Sequence, residues 1–395
     1  MVQTALTFVT AGAASLFMAW AIGAGSSGST PFAPAVGANA ISVLRAGLVV
    51  GLLGFLGAVL QGANVTEAVG RQLIGGVTLS ATAAIVALVT AAALVAVGVF
   101  AGYPIATAFT VTGAVVGVGL AMGGDPAWGK YSDITALWIL TPIAGGGTAY
   151  LTALSLRGER FPERPLTVLL CGLVGALLAN IEFVVLGPPG QQASLAGTYG
   201  PQLGLTAAGF PLGTLVVTLV VAGLAAGSLL WDFSREPDAA QQHFLIVLGG
   251  LVAFSAGGSQ VGLAIGPLVP LLGGEGIPVP ALLAGGGFGL LLGSWTGAPR
   301  MIKALAQDYA SMSSRRSIAA LIPSFAIAQT AVAFGIPVSF NEIIVSSIVG
   351  SGYAAGNAGV SRRKMGYTVL AWILSLLLAL GLGYGIYAAV ARLLL

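Results

Sequence analysis

Two stretches of this sequence resemble each other, and the likeness decides how the chain is organised. Residues 100–123 are FAGYPIATAFTVTGAVVGVGLAMG, and residues 334–356 are FGIPVSFNEIIVSSIVGSGYAAG. Aligning Pro104 with Pro337 also aligns three glycines in each stretch, at an offset of 233 residues. The aligned prolines and glycines indicate that one structural unit occurs twice in the chain.

An independent match lies at nearly the same offset. GAGSSG at residues 23–28 aligns with GGSQVG at residues 257–262, at an offset of 234. Two matches at almost one offset predict an internal repeat. We therefore predict a first repeat over 1–156, a linker region with two membrane spans over 157–243, and a second repeat over 244–395.

The composition places these repeats in a membrane. Of the 395 residues, 57% are hydrophobic and only 7% are charged, and the mean hydropathy is +0.98. A soluble fold draws about a quarter of its residues from the charged types, so this chain lacks the surface of a soluble protein. The lone cysteine, Cys171, excludes a disulfide framework, and no basic patch with interleaved aromatics suggests nucleic acid.

About 20 consecutive apolar residues suffice to cross a bilayer, and twelve segments of the chain qualify. They are residues 3–24, 42–61, 78–100, 103–122, 134–156, 166–187, 207–231, 244–271, 280–297, 317–335, 337–356 and 367–391. The two repeats then begin seven segments apart, an odd number, so they enter the membrane from opposite sides. The predicted fold is an all-α membrane protein of two inverted-topology repeats with broken or re-entrant helices. The first segment has no basic region before it and is expected to be a membrane span, not a signal peptide.

The basic residues predict the orientation of the chain. If the loop at 157–165 is cytoplasmic, alternation of the spans puts twelve basic residues inside and three outside. The inner set is Arg45, Arg157, Arg160, Arg164, Arg235, Arg300, Lys303, Arg315, Arg316, Arg362, Arg363 and Lys364, and the outer set is Arg71, Lys130 and Arg392. We therefore expect a multi-pass protein of the cell membrane, embedded in the lipid bilayer, with both termini external.

A run of small polar residues ends the first apolar segment. It is GSSGST at residues 25–30, followed by Pro31. Irregular backbone cannot lie against lipid, so this run must line a cavity or be buried in protein. We expect its amides and hydroxyls to open toward an anion at the start of a helix near Pro31. The alternative is a packing face of Ser and Gly between helices.

Two further features predict where that anion binds. The repeat mate at residues 257–260 (GGSQ) predicts a second helix break, facing the first near the middle of the bilayer. Pro104 and Pro337 each suit the first turn of a half-helix that points polar side chains into the same cavity, although ordinary N-capping would use the same residues. The predicted substrate-binding residues are Gly25, Ser26, Ser27, Ser29, Thr30, Thr107, Thr110, Gly258, Ser259, Gln260, Ser339 and Asn341.

Glu342 is the most informative charge in the sequence. An ionised carboxylate inside an apolar span is costly and usually faces a cavity or a partner. Glu342 is therefore the candidate for coupling transport to H⁺ or Na⁺. Glu182 lies near the end of its span and is equally well explained as an interfacial residue. No other cofactor is expected.

At these residues the chain resembles the inorganic phosphate transporter family. That family carries two copies of a Gly-Ala-Asn-Asp-Val-Ala-Asn-Ala-Phe/Ile-Gly signature and Pro-Val-Ser-Thr-Thr-His motifs in inverted repeats. GGSQVGLAIGP at residues 257–267 resembles the second signature, and GIPVSFNEIIVSSIVGSG at 335–352 resembles the later motif. FLGAVLQGANVTEAV at 55–69 is similar to the stretch that follows the first signature. The resemblance implies a secondary transporter, not an enzyme, and a homodimer.

The departures from the family's motifs bear on the substrate. Where the family has Asn-Asp, this chain has Gly25-Ser26 and Ser259-Gln260, and Asn341-Glu342 replaces Thr-His. Phosphate keeps a P–OH group that needs an acceptor, whereas sulfate needs donors only. A cavity without both aspartates therefore favours sulfate and resembles the sulfate permease branch of the family. Phosphate remains the alternative, since Glu342 could supply the acceptor.

Other functional classes fit less well. No Gly-x-x-x-x-Gly-Lys-Ser/Thr loop occurs, so an ion gradient, not ATP, is the expected energy source. A passive anion channel on the same fold stays open. An intramembrane serine hydrolase would use Ser27, but its base could only be His243, the single histidine, at the edge of a different span.

Overall fold

The computed structural model describes residues 2–158, 162–188, 191–207, 210–237, 239–272, 277–354, 356 and 360–394. Arg160, one of the residues used to predict the orientation, lies outside them. The first half contains α1 (Val2–Gly25), α2 (Ala33–Gly37), α3 (Val43–Gln61), α4 (Ala63–Arg71), α5 (Ala81–Ala101), α6 (Thr107–Ala121) and α7 (Trp128–Arg157). The middle contains α8 (Glu163–Asn180), α9 (Leu195–Tyr199) and α10 (Leu212–Arg235). The second half contains α11 (Ala240–Ile265), α12 (Val269–Leu272), α13 (Val279–Thr296), α14 (Ala298–Asp308), α15 (Ser314–Ala333), α16 (Phe340–Tyr353) and α17 (Arg362–Leu394).

Strands are short and join loops at the ends of helices. Three antiparallel pairs form, β1 (Ile74–Gly75) with β2 (Asp125–Pro126), β3 (Glu182–Phe183) with β4 (Ala193–Ser194), and β5 (Thr206–Ala207) with β6 (Phe210–Pro211). Three 3₁₀ turns cover Val184–Leu186, Pro201–Leu203 and Gly266–Leu268. The fold is therefore helical, as the sequence predicted.

Ten helices of the described chain are long and apolar enough to cross a membrane. They correspond to ten of the twelve predicted segments. The segments at 103–122 and 337–356 instead contain the shorter helices α6 and α16, because the chain is non-helical around each proline and becomes helical only at Thr107 and Phe340. The prediction that Pro104 and Pro337 lie in the first turn of these helices is therefore wrong. Leu48, Leu52 and other large apolar side chains are exposed on the outside of the bundle, where lipid would cover them.

The second half repeats the helix order of the first. The long helices α1, α3, α5 and α7 have counterparts of similar length in α11, α13, α15 and α17, and the half-helix α6 has its counterpart in α16. The halves are interlocked, since α6 packs against α17 while α16 packs against α7. Left-handed glycines end α5 and follow α15 at equivalent positions, Gly102 with φ +72° and Gly335 with φ +58°. The entry of these two halves from opposite sides of the membrane stays a prediction.

The predicted helix break at residues 257–260 is wrong. Helix α11 runs without interruption from Ala240 to Ile265, and only then does the chain turn at Gly266. The glycines serve close packing instead: a Cβ on Gly257 would lie 1.8 Å from the Gly54 carbonyl oxygen of α3. The same crossing recurs between α1 and α13, where a Cβ on Gly23 would lie 2.1 Å from the Leu290 carbonyl oxygen. Sequence alone does not separate a glycine that packs from a glycine that breaks a helix.

This crossing gives a test of the packing. Gly257→Ala should lower the free energy of unfolding by about 1–3 kcal/mol, because the new methyl group has no room against α3. The matched control is Gly285→Ala in α13, where a Cβ meets nothing within 4 Å and the change should be neutral or slightly stabilising. Thermal unfolding of both variants in detergent measures the difference, and equal stabilities would contradict the packing role.

Candidate functional site

Two non-helical segments, residues 103–106 and 336–339, lead into the half-helices α6 and α16. Each contains a proline whose carbonyl oxygen accepts a hydrogen bond from a tryptophan of the other half. Trp372 Nε1 donates to Pro104 O at 2.8 Å, and Trp138 Nε1 donates to Pro337 O at 3.0 Å. The two tryptophans are buried and lie 234 residues apart in the sequence. They hold the starts of α6 and α16 at the centre of the molecule.

Gln260 is the centre of the polar contacts at this crossing. Its Oε1 accepts from Thr107 Oγ1 at 2.7 Å and from Ser26 Oγ at 3.4 Å. Its Nε2 donates to Val338 O at 2.7 Å and to Ser259 Oγ at 3.4 Å. Ser26 directly follows α1, Thr107 begins α6, and Ser259 and Gln260 lie on α11. All four side chains are fully buried.

Asn341, in the first turn of α16, completes what we call the central cluster: Ser26, Thr107, Ser259, Gln260 and Asn341. Its Nδ2 donates to Gly25 O at 2.9 Å and to Ile105 O at 2.6 Å. Its Oδ1 is buried and has no hydrogen-bond partner. Buried polar atoms are nearly always paired, so an unpaired acceptor points to a missing donor or cation.

Glu342 follows Asn341 directly and also has a buried side-chain oxygen without a hydrogen-bond partner. The residue is 2% exposed, and its Oε2 has no hydrogen-bond partner. Its backbone N–H meets Ser339 Oγ at 3.4 Å, so Ser339 caps α16. None of the ion pairs among the described residues involves Glu342. Two acceptors on consecutive residues, Asn341 Oδ1 and Glu342 Oε2, thus lie buried and unpaired.

The structure corrects the prediction for the run at 25–30. Its amides do not open toward a ligand, because the N–H groups of Ser26 and Ser27 donate to Ile22 O and those of Ser29 and Thr30 donate to Ser26 O. The hydroxyls of Ser29 and Thr30 also bond to Ser26 O, at 3.2 and 3.0 Å. The run forms a compact turn, and only Gly25 and Ser26 contact the cluster.

Two other predicted residues make local contacts. Thr110 Oγ1 donates to Ala106 O at 2.9 Å, within its own helix. Gly258 packs against α3, where a Cβ would lie 2.8 Å from Gln61 Cβ. Of the twelve predicted substrate-binding residues, Gly25, Ser26, Thr107, Ser259, Gln260 and Asn341 are brought together. Their role in binding stays a prediction.

A second cluster of polar side chains, formed by Gln61, Ser255 and Gln329, was not predicted from the sequence. Gln329 Nε2 donates to Ser255 Oγ at 2.6 Å and to Gln61 Oε1 at 3.1 Å, and Gln61 Nε2 donates to Glu182 O at 2.8 Å. Ser255 lies one turn before Ser259 on α11, so this group continues the polar face of that helix. The sequence did offer a signal for this cluster, because Gln61 and Gln329 each place a polar amide side chain inside an apolar segment.

The geometry supports neither a serine hydrolase site at Ser27 nor a metal site of His, Cys, Asp or Glu among the described residues. His243 pairs with Asp232 at 2.9 Å, and it precedes Gln260 by 17 residues on α11, which is about 25 Å along the helix axis. It is therefore remote from Ser27, whose neighbour Ser26 contacts Gln260. Within the described residues no group of three or more His, Cys, Asp or Glu side chains could hold a metal ion.

The sequence pattern described as the phosphate transporter family matches residues 22–383. The chain belongs to this family. A relative in Thermococcus kodakarensis, named as a candidate phosphate permease, is 26% identical over 91% of each chain. The inorganic phosphate transporter 2-1 of Arabidopsis thaliana, a chloroplastic protein, is 24% identical over 91% of this chain and 68% of its own length.

A solved structure shares the fold of this phosphate transporter family member. It is described as the sodium-dependent phosphate transporter and superposes with a TM-score of 0.79 at 22% identity, covering 98% of this chain and 100% of the other. Family and fold agree with a multi-pass membrane transporter. Nothing in these comparisons singles out a sulfate branch.

The tryptophan bonds give a test of how the site is held. Trp372→Phe should destabilise the protein by about 1–3 kcal/mol, since it leaves the buried Pro104 carbonyl without a donor. Trp128→Phe is the control, because Trp128 is 74% exposed and should tolerate the change. Thermal unfolding compares the two, and equal melting temperatures would show that the indole bond contributes little.

Proposed function

We propose that this protein is a secondary transporter that moves inorganic phosphate across the membrane together with a cation. The observation that carries the proposal is the pair of unpaired acceptors, Asn341 Oδ1 and Glu342 Oε2, at the start of α16 beside the donor-rich central cluster. Donors suit an oxyanion, and unpaired acceptors suit a cation or a proton. Both types of group occur where two half-helices meet, which is where transporters of this plan hold their substrates.

Phosphate replaces sulfate as the favoured substrate. The sequence favoured sulfate because both aspartates of the family's signature are absent. The family and its named relatives support phosphate instead. A phosphate P–OH group needs an acceptor, and the first turn of α16 offers two. Sulfate has no proton to donate, so a buried carboxylate would disfavour it.

The coupling ion, whether Na⁺ or H⁺, would bind at the acceptors of α16. A bare Na⁺ takes oxygen ligands and could use both Asn341 Oδ1 and Glu342 Oε2, whereas a proton would neutralise Glu342 alone. Either would compensate a carboxylate that is otherwise isolated in the membrane. Passive flow through a channel would need no such compensation.

The cluster as it stands is closed to both solutes. Its side chains are fully buried, and the donors of Thr107, Gln260 and Asn341 are bonded within the cluster and to backbone carbonyls. Binding therefore requires that contacts such as Thr107–Gln260 open. Alternating exposure of one central site is how transporters of this plan work.

Uptake into proteoliposomes tests the substrate and the energy source. Radiolabelled phosphate should accumulate above its equilibrium level when an inward Na⁺ or H⁺ gradient is imposed, and should not do so without one. Excess unlabelled phosphate should compete, whereas excess sulfate should compete at least tenfold more weakly. Equal competition by sulfate would reject the substrate assignment, and uptake that never exceeds equilibrium would favour a channel.

Glu342→Gln tests the coupling residue. The amide keeps the size of the side chain but cannot bind a proton, and it weakens a cation site, so gradient-driven accumulation should fall at least tenfold. Glu182→Gln is the matched control, since Glu182 is exposed in β3, just after α8, and pairs with no cation among the described residues. If both variants accumulate phosphate like the wild type, Glu342 does not couple transport to the gradient.

A further inference from the structure

A cluster of arginines lies at the far end of α16, away from the central cluster. A cavity of about 230 Å³ is lined by Ala153 and Arg157 of α7, by Ser313, Arg315 and Arg316 at the start of α15, and by Ala354 after α16. Three arginines thus surround one small space. We call it the arginine pocket, and it lies at the end of the molecule predicted to be cytoplasmic.

Among the residues that the structure describes, the arginines of the pocket outnumber the carboxylates paired with them. Glu163 forms a bidentate pair with Arg315, with Nε 2.6 Å from Oε1 and Nη2 in contact with Oε2. Arg157 and Arg316 have no carboxylate partner among the described residues. Two guanidinium groups held near each other repel, and a shared anion would relieve that repulsion.

The partners of these two arginines leave donors free. Arg316 donates through Nε to Ser313 Oγ at 3.3 Å and through Nη1 to Ser311 Oγ at 2.9 Å. Arg157 donates through Nη1 to Ala354 O at 2.7 Å. A guanidinium has five N–H donors, so both retain several, and each serine hydroxyl keeps its own proton to donate. Fork-shaped donors of this kind match tetrahedral oxyanions.

The N-terminus of α15, with the positive end of its helix dipole, lies at the same pocket. Ser313 is the N-cap residue, but its side chain makes no capping hydrogen bond. The first-turn amides of α15 therefore lack the usual side-chain acceptor, and such a helix start attracts anions. The observation is independent of the arginines and points to the same class of ligand.

The first half shows that the fold does not require these arginines. Helix α5 is the counterpart of α15, and its N-cap Ser80 accepts from Ala83 N at 3.2 Å. Thr82 and Ala83 stand where α15 has Arg315 and Arg316. The same helix start therefore forms with a capped terminus and no basic side chain at these two positions. In the predicted topology the start of α5 lies on the external side, where the positive-inside rule does not favour arginine.

We infer that the arginine pocket binds a phosphate or sulfate group, supplied either by a free inorganic oxyanion or by the headgroup of an anionic phospholipid. The pocket contacts α16 through the bond from Arg157 to Ala354 O, at the end opposite Asn341 and Glu342. A bound oxyanion would therefore sit at one end of the helix whose other end forms the central cluster. This inference does not depend on the substrate that the protein transports.

Thermal stabilisation separates the two sources. Purified protein in nanodiscs of phosphatidylcholine is titrated with inorganic phosphate and with sulfate against sodium chloride of equal ionic strength, and is compared with protein in nanodiscs that contain phosphatidylglycerol. Stabilisation by the free ions indicates an inorganic ligand, and stabilisation only by phosphatidylglycerol indicates a lipid headgroup. In either case Arg316→Gln should raise the half-saturating concentration at least tenfold or abolish the stabilisation.

The control is Arg45→Gln, which removes an exposed arginine on the same predicted side but outside the pocket. It should respond like the wild type. If Arg316→Gln also responds like the wild type, the stabilising ligand binds elsewhere, for example at the central cluster, and the inference is wrong. It is equally wrong if neither free ions nor phosphatidylglycerol stabilise the wild type. Should Arg316→Gln not fold, Arg157→Gln provides the same comparison.

Discussion

A backbone amide or carbonyl group inside a bilayer must find its hydrogen-bond partner within the protein, because lipid offers none. This constraint weighs most on residues 103–106 and 336–339, which are not helical. Trp372 and Trp138 satisfy two of these carbonyl groups by donating hydrogen bonds to Pro104 O and Pro337 O. Each tryptophan belongs to the opposite half from its proline, so neither half can satisfy its own break. The interlocking of α6 with α17 and of α7 with α16 follows from this exchange.

Both halves contain the same tryptophan-to-proline hydrogen bond, but their polar side chains at equivalent positions differ. At the positions equivalent to Asn341 and Glu342 the first half has Ala108 and Phe109, and Phe109 stacks on Trp138 with ring centroids 3.8 Å apart. Thr107 has Phe340 as its counterpart, whereas Ser26 and Gln260 are counterparts that touch. The residues that satisfy the backbone are therefore kept in both halves, while the unpaired acceptors occur on α16 alone among these positions. A site of this kind can treat a cation and an anion differently although the scaffold around it is nearly symmetric.

Sequence reasoning worked where a pattern constrains the backbone. The prolines of the two similar stretches predicted the two half-helices, although each helix begins three residues after its proline and not at it. The apolar segments predicted the long helices. It failed at residues 257–260, because glycine inside a helix costs only about 1 kcal/mol and the helix that needs its small size, α3, is distant in the sequence. It missed the pairing of Gln61 with Gln329 for the same reason, since the two lie 268 residues apart. The sequence favoured sulfate because both aspartates are missing, whereas the family and its named relatives favour the alternative, phosphate. Glu342, whose unpaired oxygen only the three-dimensional structure reveals, is the residue that the sequence argument weighed too lightly.

The imbalance between paired donors and unpaired acceptors suggests an order of events under the proposed coupling. The donors of the central cluster are already engaged, for example Thr107 with Gln260 and Asn341 with two carbonyls. An arriving oxyanion would have to break these bonds beside a carboxylate, and like charges repel strongly where the dielectric constant is low. A cation or proton at Glu342 removes that repulsion and leaves the donors free to reorient toward the anion. Cation binding would then favour anion binding, and by thermodynamic reciprocity the anion would favour the cation by the same factor. On this reasoning the coupling needs no link between distant sites, because both solutes act on one turn of α16.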